Sequence, residues 1–197
     1  FRRPISICDW NDETVTLIAK VVGKGTKALC ESPVGTKFDC LVGLGNGYDM
    51  EKATGKTVLM GGGVGVPPLY GLAKKLIVKG ITPSVCLGFG SNAECFYEEQ
   101  FKALGCPVSV STVDGSYGTK GFVTNLVTDE DYVFTCGPEP MLKAIYGLEQ
   151  LSGGQFSFEE RMGCGFGGCM GCTCKTKYGY KRICKDGPVL EKEEIVW

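Results

Sequence analysis

Cys164, Cys169 and Cys172 lie in the run Met162-Gly-Cys-Gly-Phe-Gly-Gly-Cys-Met-Gly-Cys-Thr-Cys-Lys175, with Cys184 following after a longer gap. The spacing is C-x4-C-x2-C plus a distant fourth cysteine. That is the plant-type pattern for a [2Fe–2S] cluster, with three thiolates on one loop and a fourth returning from the next segment. Gly163, Gly165, Gly167, Gly168 and Gly171 suit a chain that must fold tightly around sulfur. Their N–H groups are candidate donors to the cluster sulfurs. The competing reading is a structural zinc site, which also takes four thiolates but usually as two C-x2–4-C knuckles. Cys174 is the rival ligand and is expected to be a bystander. The chain contains no histidine, which excludes a Rieske centre and any mixed Cys/His zinc site. Single-electron chemistry is the expectation.

Other segments have a chemical and a plain reading. Gly61-Gly-Gly-Val-Gly65 follows the short apolar run Thr57–Met60 and precedes a helix expected to start near Pro67 or Pro68. Such a turn, placing Gly61, Gly62, Gly63 and Gly65 at a strand end, suits a dinucleotide pyrophosphate. It does not spell G-x-G-x-x-G, and a tight strand-to-helix turn is the alternative. Cys136-Gly137-Pro138 ends another strand, where a thiol could sit beside a nicotinamide ring; the alternative is an ordinary turn. Arg3-Pro4-Ile5-Ser6 offers a guanidinium fork for a flavin pyrophosphate, or else a solvated arginine at a strand end. Gly23-Lys-Gly-Thr26 is a second phosphate-loop candidate or a hairpin turn.

These sites need elements to hold them. Val15–Val22 and Lys37–Val42 read as strands, and Gly43-Leu-Gly-Asn-Gly47 as a loop, giving residues 1–52 a β character. Two or three strands cannot close a sheet, so more strands are expected before residue 1, and Phe1-Arg2-Arg3-Pro4 opens without an initiator methionine. From Lys56 strands and helices alternate: Thr57–Met60, Val85–Phe89, Val108–Val113 and Tyr132–Cys136 are strands. Leu69, Leu72, Ala73, Leu76 and Ile77 line one helix, and Met141, Leu142, Ile145, Tyr146 and Leu148 another. Ser91-Asn-Ala-Glu94 reads as a capping box opening a helix. The alternation predicts a mostly parallel, doubly wound sheet over 53–154. Gly153-Gly154 reads as a boundary, leaving 155–197 as a small cluster domain.

Composition narrows the classes. The chain has 197 residues, 43% hydrophobic and 22% charged, as expected of a globular protein of one large or two small domains. A net charge of −1 gives no electrostatic case for nucleic acid or an anionic membrane. No apolar run is long enough to span a bilayer. Cys8, Cys30, Cys40, Cys86, Cys95, Cys106 and Cys136 are scattered through apolar segments without disulfide-framework spacing and read as buried thiols of a reducing cytoplasm.

In this order, the Arg-Pro-x-Ser segment, the nucleotide domain with Cys-Gly-Pro, and the C-terminal cluster motif resemble the ferredoxin-reductase-like flavoproteins. More narrowly they resemble the iron–sulfur electron-transfer subunits of NAD-dependent dihydroorotate dehydrogenase. The resemblance also rests on Arg2–Ile7, Gly23–Thr26, Gly43–Gly47, Gly61–Gly65, Asp114-Gly-Ser-Tyr-Gly118, Glu159–Gly165 and Cys184-Lys-Asp-Gly-Pro-Val189. It implies a partial FAD-binding β-barrel over 1–52, with earlier barrel strands before Arg3. It implies FAD contacts at Arg3, Pro4, Ile5, Ser6, Ile18, Ala19, Lys20, Gly25 and Thr26. NAD would lie in the Gly61–Cys136 cleft, and Cys164, Cys169, Cys172 and Cys184 would hold the cluster. The implied partner is an FMN-containing catalytic subunit in a heterotetramer that oxidises dihydroorotate in pyrimidine biosynthesis. Two other readings remain: the flavin subunit of an NAD(P)H–ferredoxin oxidoreductase or a hydrogenase/sulfide reductase, and a zinc-stabilised nucleotide-binding regulatory module.

Overall fold

The computed structural model describes residues 3–197; Phe1 and Arg2 of the opening motif lie outside the described residues. The first elements are an antiparallel pair, β1 (Ile7–Trp10) and β2 (Val15–Leu17), and a short helix α1 (Lys24–Cys30). No barrel closes among the described residues. The strand expected over Val15–Val22 stops at Leu17, and Lys37–Val42 is irregular. A strand needs a partner for its ladder groups, and no described strand forms a ladder with 37–42. Phe38 and Val42 stay exposed, and so do Cys30 and Cys40, which were expected to be buried, because this irregular segment packs no layer over them. Gly23-Lys-Gly-Thr26 is no hairpin turn: it opens α1, with Thr26 Oγ1 accepting the N–H groups of Val22 and Gly23 at 2.9 and 3.3 Å.

β3 (Thr57–Gly62), α2 (Val66–Val78), β4 (Ser84–Phe89), α3 (Glu98–Ala103), β5 (Val108–Thr112), β6 (Thr119–Lys120), β7 (Tyr132–Cys136) and α4 (Glu139–Tyr146) build the expected doubly wound sheet. Two further strands join it. β8 (Gly153–Ser157) pairs parallel with β7, and β11 (Val189–Glu191) pairs antiparallel with β8. The seven-stranded order is β11-β8-β7-β3-β4-β5-β6. Between β8 and β11 lie the cysteine loop, the hairpin β9 (Thr173–Thr176) and β10 (Gly179–Arg182), and α5 (Ile183–Asp186). No described helix is long and apolar enough to cross a membrane.

Gly153-Gly154, expected as a boundary, is therefore the start of a buried strand. The glycines answer to packing: a Cβ at Gly153 would lie 2.9 Å from the Tyr132 ring, and one at Gly154 would lie 2.4 Å from Val133 Cγ1. The expected capping box at Ser91 is also absent. Ser91–Glu94 forms a 3-10 turn in which Glu94 Oε2 accepts Gly90 N–H at 3.0 Å. Tyr97, at φ 68°, then breaks the chain, and α3 starts at Glu98.

Apolar side chains fill both faces of the sheet. Leu59, Leu87 and Phe134 pack with Leu69, Leu72, Leu76 and Phe101 of α2 and α3 on one face. Val58, Met60 and Val133 pack with Leu142 and Ile145 of α4 on the other. That second face also buries Phe156, Cys172, Ile183, Cys184, Leu190 and Ile195, so the cysteine segment and the sheet share one core. Each such aliphatic side chain contributes about 1.5–3 kcal/mol when fully buried.

Candidate functional site: a thiol loop, a nucleotide cleft and a flavin-side segment

The cysteine loop gathers its thiols in two pairs. Cys164 Sγ accepts N–H groups from Gly168 at 3.2 Å and Cys169 at 3.4 Å. The backbone of Cys169, then that of Phe166, pulls the Cys164 thiol down to about 6. Cys172 Sγ accepts the N–H of Cys184 at 3.4 Å. Burial, then the Cys172 thiol, pushes Cys184 up to about 11. The pairs are neighbours, because the backbone of Gly167 in the first loop reaches Cys184.

Among the described residues no group of three or more Cys, Asp or Glu side chains gathers as a single-ion site. Thiols in two neighbouring pairs fit a two-iron centre, in which each iron takes two protein ligands. Positive φ at Gly165 (82°), Gly167 (86°) and Met170 (60°) lets the loop fold back while its N–H groups face inward to sulfur. Cys174 stands apart on β9, packed near Trp197 and raised by burial.

Sequence reasoning missed the brace behind this loop. Arg182 forks onto Asp186 (Nε–Oδ2 2.9 Å, Nη2–Oδ1 3.2 Å) and donates Nη1 to the carbonyl of Gly167 at 3.2 Å. The guanidinium holds the Asp186 carboxyl down at about 2. The only available signal was the i, i+4 spacing of opposite charges.

The nucleotide cleft lies where β3 and β7 end side by side, with Gly61 in register with Cys136. Gly61, Gly62 and Gly65 are buried and needed for packing. Their added Cβ atoms would lie 2.9 Å from Val66 Cγ2, 2.4 Å from Met141 Sδ and 2.1 Å from the Cys136 carbonyl oxygen, respectively. Gly63 differs: φ is 50° and nothing lies within 4 Å of an added Cβ, so this is where the backbone faces open space. Pro67 and Pro68 have no N–H, and the Val66 N–H goes to Gly63 O. The helix dipole, rather than free donors in its first turn, is what α2 offers an anion here. Gly137 is buried against Met141, and Pro138 is exposed at the start of α4. Burial pushes the Cys136 thiol up to about 12, so it is a neutral thiol at the cleft wall.

On the flavin side, Arg3 folds over the start of α1: a Cβ at Gly25 would fall 2.9 Å from Arg3 Nε. Pro4, Ile5 and Ser6 lead irregularly into β1, with Ser6 exposed. Ile18, Ala19 and Lys20 lie just past β2, and Lys20 reaches Glu94 at 3.5 Å. A guanidinium beside a glycine turn, an exposed hydroxyl and the exposed Val21 and Val22 fit a flavin nucleotide. β1 is fastened to α2. Lys74 bonds both Asp9 oxygens at 2.7 and 2.8 Å, Lys75 lies 4.2 Å from the Trp10 ring centre, and Gly71 admits the Cys8 carbonyl. One helix thus starts at the nucleotide turn and carries the flavin-side strand on its third turn.

Comparison with known proteins adds to this geometry. Residues 159–196 match the profile of the "iron-sulfur cluster binding domain of dihydroorotate dehydrogenase B". The sequence is 46% identical to the "dihydroorotate dehydrogenase B (NAD(+)), electron transfer subunit" of Shouchella clausii (strain KSM-K16), over 99% of this chain and 80% of that protein. It is also 46% identical to the same-named protein of Bacillus pumilus (strain SAFR-032), over 98% and 79%. In three dimensions it matches a chain of an NADH-dependent reduced ferredoxin-NADP oxidoreductase with TM-score 0.87 and 28% identity, over 100% of this chain and 74% of that one.

Proposed function

Because this chain belongs to the family of dihydroorotate dehydrogenase B (NAD(+)) electron transfer subunits, we propose that its three sites form one electron route from a catalytic partner subunit to NAD. The chain is an oxidoreductase subunit of pyrimidine biosynthesis that uses FAD, an iron–sulfur cluster and NAD. When bound, FAD joins the one-electron chemistry of the cluster to the two-electron chemistry of nicotinamide. The residues do the rest by position. Cys164 with Cys169, and Cys172 with Cys184, hold the cluster. Arg3, Pro4, Ile5, Ser6, Ile18, Ala19, Lys20, Gly25 and Thr26 form the flavin side. Gly61, Gly62, Gly63, Gly65, Cys136, Gly137 and Pro138 form the nicotinamide cleft. No acid–base group is required, and the neutral Cys136 thiol fills the cleft wall without adding charge.

The observation that carries this reading is the pairing of the four thiols beside a nucleotide sheet whose core they share. A zinc-held regulatory module is disfavoured by the same pairing. The cluster would face an FMN-bearing catalytic subunit within a heterotetramer. Phe166 and Met170, exposed beside the cysteines, are the proposed contacts. The test is functional coupling. The full-length subunit alone should reduce dyes with NADH but leave dihydroorotate unchanged. Adding the catalytic subunit should give NAD-linked orotate formation. Dihydroorotate oxidation by the isolated subunit, or failure to co-purify and couple, would favour the ferredoxin- or sulfur-linked relatives.

Nicotinamide choice follows from charge. Glu94 and Asp114 place carboxylates beyond the ends of β4 and β5, where α/β sheets hold the adenosine ribose. Asp114 is held ionised by the hydroxyl and N–H of Ser116, and Glu94 is tied to Gly90 and Lys20. A 2′-phosphate would meet like charge at a cost of about 1 kcal/mol or more. NADH should therefore exceed NADPH in kcat/KM by about tenfold or more in a dye-reduction assay. Equal values would remove this assignment.

A further inference from the structure

Arg182 lies on the strand that leads to Cys184, and its side chain spans the gap to the loop of the other cysteine pair. Its fork has two sides. Nε and Nη2 face the carboxylate of Asp186, while Nη1 reaches the Gly167 carbonyl, between Cys164 and Cys169 in sequence. The ion pair is partly shielded, with side-chain exposures of 28% and 30%, so solvent screens it less than a surface pair. The stem of Lys185, a second basic side chain, lies over the same loop: a Cβ at Gly167 would lie 2.7 Å from its Cδ. The guanidinium thus bridges the Gly167 carbonyl of the Cys164–Cys169 loop on one side and the Asp186 carboxylate on the other.

We propose that Arg182, oriented by Asp186, is a positioning residue that fixes the loop of Cys164 and Cys169 against the start of α5, which carries Cys184, and sets the reduction potential of the cluster upward. The inference rests on the cluster assignment above and adds to it a role for charge beyond the thiolates. Reduction adds negative charge to the site, so a nearby guanidinium stabilises the reduced form. A carboxylate behind it limits that effect. Asp186 is in turn fixed from the flavin side, because Asn46 Nδ2 donates to its backbone carbonyl at 3.3 Å and Asn46 N–H donates to the carbonyl of Gly187.

The sign of the response separates charge from structure. Full-length protein purified anaerobically with its iron and flavin would be titrated potentiometrically, reading the cluster by electron paramagnetic resonance. Arg182→Gln should move the midpoint to lower potential, because it leaves Asp186 uncompensated. Asp186→Asn should move it to higher potential, because it frees the guanidinium. Arg182→Lys should restore most of the wild-type value. If Arg182→Gln fails to retain iron, Lys185→Gln takes its place and should also lower the midpoint, opposite to Asp186→Asn. Shifts of one sign for all variants, or no shifts, overturn the proposal. A wild-type protein with iron-free, zinc-loaded thiols overturns the cluster assignment itself, and is recognised before any variant is made.

Discussion

Serine in place of Cys164, Cys169, Cys172 or Cys184 is expected to cost the protein its iron, whereas Cys174→Ser should leave iron content and visible spectrum unchanged. The four thiols fall in two pairs linked through the backbone, the Cys169 N–H donating to Cys164 Sγ and the Cys184 N–H to Cys172 Sγ. Removing one thiolate leaves an iron with a single protein ligand and a hydroxyl of much lower affinity for the metal. Cys174 sits on a regular strand, opposite Lys181, and takes no part in either pair. Cys172 and Cys184 are also nine-tenths or more buried within the shared core, so their serine variants should lose thermal stability in addition to iron. Cys169 is exposed, and its variant should show the iron loss with little destabilisation. Iron and labile sulfide analysis after anaerobic purification decides the ligand set. Iron retained in Cys184→Ser and lost in Cys174→Ser would exchange the two.

Gly65→Ala should nearly abolish flavin reduction by NADH while leaving the cluster spectrum intact. The added methyl would lie 2.1 Å from the carbonyl oxygen of Cys136 and 2.6 Å from the amide of Gly137. Both are backbone atoms, so no side chain can rotate aside. The turn after β3 must move away from the turn after β7, opening the wall of the nicotinamide cleft. Misplacement by about 1 Å at a reacting centre lowers a rate by on the order of 100-fold. Stopped-flow reduction by NADH reads this directly, and photoreduction of the same flavin controls for its presence. A rate within a factor of a few of wild type would mean that the cleft lies elsewhere.

How much of this was readable in the residues depends on how local each signal is. The ends of β4, β5 and β7 match runs of branched and aromatic residues, because burial on both faces of a parallel strand demands continuous apolar sequence. The close spacing of the first three cysteines is likewise local. β8 was hidden because Gly153-Gly-Gln-Phe-Ser157 has only one large apolar residue. Its glycines, which look like a linker, are dictated by the rings and branches of β7. The helix expected at Ser91 fails because Glu94 is committed to Gly90 N–H, a bond that depends on how the chain leaves β4. The strand expected over 37–42 has suitable residues but forms no ladder with any described strand. Which thiol joins Cys172, and the brace from Arg182 to Gly167, depend on β10 and α5 returning across the loop, a tertiary fact that spacing does not encode.

The placement of β8 and β11 has an evolutionary and practical corollary. Electron-transfer proteins are often pictured as beads that recombination can trade between chains. Here the segment that holds the four thiols both departs from and returns to the nucleotide sheet, entering through β8 and leaving through β11 at its edge. It cannot be excised without uncovering β7, nor grafted elsewhere without a parallel strand to receive Gly153–Ser157. Exchange between lineages would have to move the sheet and the thiol loop as one inheritance. For the same reason, a cell short of iron would feel the deficit as fragility of the nucleotide-binding half, since Cys172 and Cys184 are buried in the same core cluster as Leu142 and Ile145 of α4.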